Sequence, residues 1–235
     1  MFSKLLSKVI SKIKKEDYKV DKSITFSIAF SQVNKRIAML FRGLIRKPFF
    51  GMSKGTLFIG KRTDLKCKGK IRFHGSAIIE DNVKIDALSK GGIDIGANFS
   101  IGRNSIIECT GVLRELGEKL IIGKNVGIAA NAFISMRGKI EIGDDTIFGP
   151  NVALHAENHN FSNLNIPVRL QGSTRKGIKI GKNCWIGSGV IVLDGVNIGD
   201  NCIIAAGAVV NKDIPSNTIA GGIPIKIIKN RKGDK

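Results

Sequence analysis

An aliphatic side chain recurs every six residues through the C-terminal part of this 235-residue chain. The longest uninterrupted run consists of Ile180, Ile186, Val192, Ile198, Ile204 and Val210. An α-helix repeats every ~3.6 residues and would lose register with this pattern, whereas a short strand followed by a tight turn keeps one side chain pointing inward in each unit. The period therefore predicts a parallel β-helix, in which three such units make one coil of a triangular prism.

The same period continues upstream in shorter runs. Their positions are Ile59, Leu65 and Ile71; Phe73, Ile79 and Ile85; Ile95, Ile101 and Ile107; Ile122, Ile128 and Ile134; and Ile142, Phe148 and Leu154. Sequence pieces such as IGKN and IGDN suit the corners of a coil, because Gly, Asn and Asp adopt corner conformations at little steric cost. Cys184 and Cys202 fall one coil apart, so we expect them to stack as small core residues rather than to form a disulfide or bind a metal.

The composition is strongly basic. Lys and Arg total 38 against 19 Asp and Glu, which gives a formal net charge of +19. Such a charge favours an anionic partner, which could be nucleic acid, anionic lipid or a phosphorylated small molecule. The chain has one Trp and one Tyr and no motif that interleaves basic and aromatic residues. We therefore expect no nucleic-acid partner.

The cysteines and the hydropathy pattern indicate the cellular compartment. The four cysteines show no spacing typical of zinc binding, no signal peptide is recognisable, and no apolar run approaches the length of a membrane span. These features predict a reduced, cytoplasmic protein.

Residues 1–50 lack the six-residue period and predict a separate segment, followed by a β-helix domain over residues 51–235. MFSKLLSKVISKIKK has apolar residues at the spacing of an amphipathic basic helix, and the stretch ITFSIAFSQVNKRIAMLFRGLIRK predicts a second helix. Such helices can lie on an anionic membrane or can cap the open end of a β-helix. Capping is favoured for the second stretch, and for residues 1–15 both interpretations stay open.

Residues 178–228, IKIGKNCWIGSGVIVLDGVNIGDNCIIAAGAVVNKDIPSNTIAGGIPIKII, closely resemble the C-terminal part of hexapeptide-repeat acyltransferases, in particular the maltose, galactoside and nodulation-type sugar O-acetyltransferases. With the weaker repeats back to about residue 57, the resemblance covers roughly three quarters of the chain. It implies an all-β, left-handed parallel β-helix with a short C-terminal cap, a homotrimer, and acetyl-CoA bound in grooves between subunits.

The six-residue period is lost within residues 154–172, LHAENHNFSNLNIPVRLQG. A stack of coils has smooth faces, so a site needs a protruding loop or a groove between prisms, and residues 160–177 predict such a loop. By resemblance, PNVALHAENHNF places His159 at the position of the family's catalytic histidine. Histidine suits a general base because its ordinary pKa lies near neutral pH. His155 is then a structural neighbour or a contact to the acceptor.

Further site residues follow from the resemblance alone. Asn131 corresponds to the asparagine that contacts the acceptor sugar, although a corner turn explains an asparagine there equally well. Ser188 and Ala206 are expected along the pantetheine arm of acetyl-CoA. The positions expected to face its adenine nucleotide and 3′-phosphate are Asn211, Lys212, Lys226 and Lys229. Trp185 is either a wall of the thioester tunnel or a residue that packs at a corner.

These features together predict an acetyl-CoA-dependent O-acetyltransferase that acts on a sugar hydroxyl, in surface polysaccharide or lipopolysaccharide synthesis and without a required metal. Acetylation of a sugar amine and a non-catalytic repeat scaffold are the alternatives. A carbonic anhydrase on the same fold would need three converging histidines, and His74 is expected on the order of 20 Å from His155 along the coil axis. The acceptor is expected to be selected by residues 160–177, 86–94 and 108–121 and by the N-terminal region.

Overall fold

The computed structural model describes Ser7 and residues 19–21, 23–109 and 113–231. Short strands alternate among three sheets, and each strand inside the stack pairs in parallel with the strands of the neighbouring coils. The pairing of Trp185 with Ile203 spans three six-residue units, as the predicted coil requires. The fold is a left-handed parallel β-helix, which confirms the predicted fold class.

The three faces of the prism are called A, B and C. Face A is formed by β1 Met52–Ser53, β4 Ile71–Phe73, β7 Ser89–Ile95, β10 Gly117–Ile122, β13 Ile140–Ile142, β18 Ile178–Ile180 and β21 Asn197–Ile198. Face B is formed by β2 Leu57–Ile59, β5 Ala77–Ile79, β8 Phe99–Ile101, β11 Gly127–Ile128, β14 Ile147–Phe148, β19 Trp185–Ile186, β22 Ile203–Ile204, β24 Thr218–Gly221 and β25 Lys226–Asn230. Face C is formed by β3 Asp64–Lys66, β6 Lys84–Asp86, β9 Ile106–Glu108, β12 Phe133–Ser135, β15 Ala153–His155, β20 Ile191–Leu193 and β23 Val209–Val210.

The remaining elements interrupt or flank the prism. They are helix α1 Phe26–Arg46, the 3₁₀ turns Lys47–Phe49, Lys68–Lys70 and Val168–Leu170, and the antiparallel strands β16 Asn158–His159 and β17 Ser173–Thr174. The antiparallel pairing of β25 with β24 closes the C-terminal end of face B. No helix in the described part of the chain is both long and apolar enough to cross a membrane.

The core is the set of inward-pointing residues predicted from the period. Ile186, Val192 and Ile198 are almost completely buried, and the upstream positions are buried in the same way. Cys184 and Cys202 are buried free thiols one coil apart, as expected for small core residues. The corners carry asparagines in the left-handed backbone region, which confirms the interpretation of the IGxN pieces.

Helix α1 begins after Thr25, whose hydroxyl accepts a hydrogen bond from the amide of Ile28, and confirms the predicted second helix. It packs on the first coil: the Arg42 guanidinium donates to the carbonyl of Ile59, 2.8 Å away. A Cβ on Gly43 would lie 1.8 Å from the carbonyl oxygen of Leu57, so only glycine permits this approach. The predicted helix over residues 1–15 lies outside the described residues, apart from Ser7.

Candidate active site

The two histidines of the interruption both precede the point where the chain reverses between β16 and β17. His155 ends β15, where it pairs in register with Ser135 below and Leu193 above. His159 lies on β16, which pairs with β17 so that His159 is opposite Ser173. This two-stranded stem carries the protruding loop. The returning chain pairs at Ser173 and Thr174, within the segment 160–177 that the sequence predicts to be a loop.

His159 is exposed on the stem. Within the described part of the chain, no hydrogen bond reaches either nitrogen of its ring, so both nitrogens are accessible to a ligand. His155 is half-buried, and its ring packs at 43° to that of Phe133 with the ring centroids 5.7 Å apart. The first histidine is thus held in place by packing, whereas the second presents its ring to solvent.

Glu157, between the two histidines, anchors the stem. One of its carboxylate oxygens accepts hydrogen bonds from Arg175 Nε at 2.6 Å, Ser173 Oγ at 3.0 Å and Arg137 Nε at 3.1 Å. Burial by itself raises the pKa of Glu157. The hydrogen bonds from Arg175, Arg137 and Ser173 lower it by a larger amount, so the pKa lies below the ordinary value of a glutamate. The carboxylate is therefore ionised at neutral pH and ties both strands of the stem to the neighbouring coil.

The charged cluster extends to a second interruption of the prism. Arg175 Nη2 contacts the carboxylate of Glu115 at 2.8 Å, and Arg137 Nη1 donates to the Glu115 carbonyl at 3.0 Å. Glu115 belongs to the predicted insertion 108–121, of which residues 110–112 lie outside the described residues. The two loops expected to select the acceptor are thus joined by a set of charge-assisted hydrogen bonds.

The protruding loop is organised by the side chain of Gln171. Its amide nitrogen donates to the carbonyls of Ile166 at 2.6 Å and Asn163 at 2.8 Å, and its oxygen accepts from the amide of Asn163 at 3.1 Å. The apolar side chains of the loop remain outside the core, and Leu164 is 96% exposed. The loop is therefore shaped by polar contacts and presents an apolar surface outward.

Asn131 lies at the corner between faces B and C, with a φ of 61°. Its side-chain oxygen accepts a hydrogen bond from the amide of Asn104, which in turn accepts one from Asn82. The corner explanation for this asparagine therefore holds.

The residue type at this same corner changes toward the C-terminal coils. The left-handed position is filled by Asn131 and Asn151 in the lower coils and by Gly189 and Gly207 in the upper coils. A Cβ on Gly207 would meet no atom within 4 Å, so the corner is open there. Ser188 and Ala206, the two residues predicted to follow the pantetheine arm, are exposed one coil apart on this open corner. The upper corner is thus an exposed strip of small residues.

The other predicted contacts to acetyl-CoA lie elsewhere on the chain. Trp185 is on face B beside Ile147 and is 53% exposed. Lys226 and Lys229 are exposed on β25, also on face B, whereas Asn211 and Lys212 are exposed just beyond β23 on face C. One chain therefore brings Ser188 and Ala206 together and places both histidines within the interruption, but it distributes the remaining residues over two faces.

Sequence reasoning missed the cluster of Glu157, Arg137 and Arg175. A signal was present for Glu157 and Arg175, which lie in or beside the segment where the six-residue period is lost, but not for Arg137, which lies upstream on the neighbouring coil. In the described residues, no group of three His, Cys, Asp or Glu side chains is arranged to hold a metal ion. His74 lies at the end of β4 on face A, where its ring nitrogen is 3.3 Å from the Asp94 carboxylate, far from the histidine stem.

Comparison with known proteins identifies relatives. A family described as bacterial transferase hexapeptide (six repeats) matches residues 177–212. The galactoside O-acetyltransferase of Escherichia coli is 37% identical over 131 residues, which cover 55% of this chain and 63% of the relative. The putative lipopolysaccharide biosynthesis O-acetyl transferase WbbJ of E. coli is 30% identical over 146 residues, which cover 59% of this chain and 72% of WbbJ.

Solved structures support the fold. A variant of AntD, an N-acyltransferase from Bacillus cereus in complex with dTDP and coenzyme A, superposes with a TM-score of 0.57 at 21% identity. The superposition covers 80% of this chain and 88% of AntD. The chain spans between 45% and 63% of the length of several curated acetyltransferases that it matches.

Proposed function

Because the chain belongs to the hexapeptide-repeat family of acetyltransferases, we propose that it transfers the acetyl group of acetyl-CoA to a hydroxyl group of a sugar. The observation that carries this proposal is the exposed ring of His159 on a stem that Glu157 anchors, at the point where the coils are interrupted. Acetyl transfer from a thioester to a hydroxyl needs a base at a fixed position, and such a stem supplies one.

His159 is the proposed general base. Its ring nitrogen takes the proton of the sugar hydroxyl while the oxygen attacks the thioester carbonyl carbon, so that a C–O bond forms. The C–S bond then breaks, and the thiolate of CoA leaves with the proton from the imidazolium. Transfer is direct, without an acyl-enzyme, and backbone amides near the coil corners stabilise the oxyanion of the tetrahedral intermediate.

The proposed acetyl-CoA groove follows the open corner at Ser188 and Ala206. Glycine at the left-handed positions above Asn151 leaves space for the pantetheine arm to approach the backbone. Asn211, Lys212, Lys226 and Lys229 are the proposed contacts to the adenine nucleotide, with Trp185 as a wall of the groove. Lysines neutralise the 3′-phosphate as point charges, without the bidentate geometry of arginine.

Asn131 and His155 are the proposed contacts to the acceptor sugar. Relatives named as O-acetyltransferases, including one for lipopolysaccharide biosynthesis, support a hydroxyl acceptor in a surface glycan. The loops joined by Arg175 and Glu115 are proposed to select that acceptor.

A homotrimer is proposed because the candidate acetyl-CoA contacts of one chain lie on two faces, so a groove between neighbouring prisms would combine them. The exposed apolar side chains Leu164 of the loop and Trp185 of face B are then covered by a neighbour. We propose that the reaction takes place in the cytoplasm, and that contact of residues 1–15 with anionic lipid brings the protein near lipid-linked acceptors.

Calorimetric titration of acetyl-CoA into the metal-stripped protein tests the proposal, with dephospho-CoA as the comparison. We expect micromolar affinity for acetyl-CoA and weaker binding when the 3′-phosphate is absent. A panel of sugars with free hydroxyls or free amines, followed by CoA release, then separates O- from N-acetylation. If acetyl-CoA did not bind, the chain would be a repeat scaffold and the transferase assignment would be wrong.

A further inference from the structure

Helix α1 has two apolar faces, and within the part of the chain that the structure describes only one of them is buried. The inner face packs on the first coil through Met39 and Gly43, which are buried. A second row of apolar residues follows the helix at spacings of three and four on its outer side. This row, called the α1 stripe, consists of Phe30, Val33, Ile37, Phe41 and Leu44.

The α1 stripe is exposed along its whole length. Its five side chains retain between 45% and 61% of their accessible surface. Residues at this spacing form one continuous strip on a helix, and the strip contains no charged residue. An apolar strip of about four turns on a surface helix is unusual in a soluble monomer and marks a contact surface.

The surroundings of the stripe are strongly basic. Residues 23–50, which contain α1, carry five Lys and Arg and no Asp or Glu. The first coil beneath α1 adds the exposed side chains of Lys54, Lys61 and Arg62. An apolar helix face within a basic surface is complementary to anionic lipid, which offers acyl chains beneath negatively charged headgroups.

The position of the stripe argues against a neighbouring subunit as its partner. The exposed residues proposed for the subunit interface, Trp185 and Leu164, belong to the C-terminal coils and the loop that leaves them. On face B, β2 under α1 is separated from β19 by five strand spacings, which is about 24 Å. The α1 stripe thus forms a surface of its own at the opposite end of the prism.

We propose that the α1 stripe docks the protein on an anionic membrane surface. The helix lies in the plane of the interface, with the stripe turned into the headgroup and acyl boundary and the first coil above it. Lys54, Lys61 and Arg62 contact the headgroups. This contact is independent of residues 1–15 and of the acetyl transfer reaction.

Vesicle flotation of the full-length chain tests the proposal without acetyl-CoA or acceptor. The probes are vesicles of phosphatidylcholine alone and of equal parts phosphatidylcholine and phosphatidylglycerol. We expect the protein to float with the anionic vesicles and not with the neutral ones. Raising the salt concentration should weaken this binding, because screening reduces the attraction between lysines and headgroups.

Two isoleucines of α1 provide a matched pair of variants. Ile37 in the stripe and Ile28 outside it are 45% and 46% exposed, and both lie on the same helix. Replacement by serine removes the same apolar surface and hardly alters helix propensity. We expect Ile37→Ser to reduce binding to anionic vesicles roughly tenfold, and Ile28→Ser to reduce it less than about twofold.

Several results would overturn the proposal. These are no flotation with anionic vesicles, equal flotation with neutral vesicles, or equal losses in the two variants. A lower thermal midpoint in Ile37→Ser than in Ile28→Ser would show that the stripe is covered within the molecule. A change of oligomeric state in Ile37→Ser, measured by sedimentation, would show that it is covered by a second copy.

Discussion

The uninterrupted coils from β18 to β23 and the histidine segment, residues 155–177, are held together by different forces. In the coils, Ile186 and its equivalents are buried and each strand hydrogen-bonds to the strand one coil below it. In the histidine segment, one carboxylate and one amide side chain, those of Glu157 and Gln171, organise the chain. The coils gain stability by burying apolar area. The histidine segment buries little apolar area and keeps its polar groups accessible to solvent. The proposed reaction needs this exposure, because a substrate cannot reach a buried histidine.

The largest expected effect is on catalysis. We expect His159→Ala to reduce acetyl transfer by about 10²- to 10⁴-fold, the usual contribution of a positioned base. Its thermal midpoint should stay unchanged because the side chain is exposed. CoA release at saturating acetyl-CoA measures the loss. The control is His155→Ala, which should raise the KM for the sugar but retain most of the turnover at saturating sugar. The reverse pattern would make His155 the base.

The next effect concerns the coils. We expect Ile186→Ala to lower the free energy of unfolding by about 2–5 kcal/mol, because it leaves a cavity in a fully buried stack. Ile166→Ala, at a loop position that is 42% exposed, should cost less than about 1 kcal/mol. Urea unfolding at one fixed protein concentration measures both. Equal losses of unfolding free energy in the two variants would show that the loop is buried in the assembly. The loop and the coils would then not differ in what stabilises them.

The coils were predictable because their determinants are local and repeated. Each inward residue and each corner asparagine is specified within six positions, so the sequence predicts both Ile186 and the left-handed Asn183 of IGKN. The place of the interruption was predictable for the same reason, since the period fails there. Its internal structure was not, because the partners of Glu157 include Arg137 on another coil. The exposure of the α1 stripe could not be predicted from the sequence either, because the sequence of a helix with two apolar faces does not show which face packs on the coil.

A smaller effect is expected at the anchor of the stem. Glu157→Gln removes the charge that Arg137 and Arg175 share and should cost about 1–3 kcal/mol of local stability. Hydrogen exchange at the Asn160 amide, which donates to the Gly172 carbonyl at 3.0 Å across the loop, measures it. The control is Glu115→Gln, whose 58% exposed carboxylate should contribute less than about 1 kcal/mol.

The same anchor predicts a dependence on pH. Since the pKa of Glu157 in the fold lies below its ordinary value, its contribution is present above about pH 4.3 and is lost as the pH falls through the native pKa. Protection of the Asn160 amide should therefore decrease toward acid in the native chain and change little in Glu157→Gln. A parallel decrease in both would show that another group holds the stem.

The smallest effect is expected inside the loop, where Gln171 makes its three hydrogen bonds at an exposed site. We expect Gln171→Ala to cost about 1 kcal/mol in local opening, because water replaces most of the lost bonds. Exchange of the Asn163 amide should accelerate several-fold, while the thermal midpoint stays constant. If the loop selects the acceptor, the KM for the sugar should rise and the KM for acetyl-CoA should not. A fall in the thermal midpoint as large as that of Ile186→Ala would mean that the loop shares in the stability of the coils, and the two regions would then unfold as one unit.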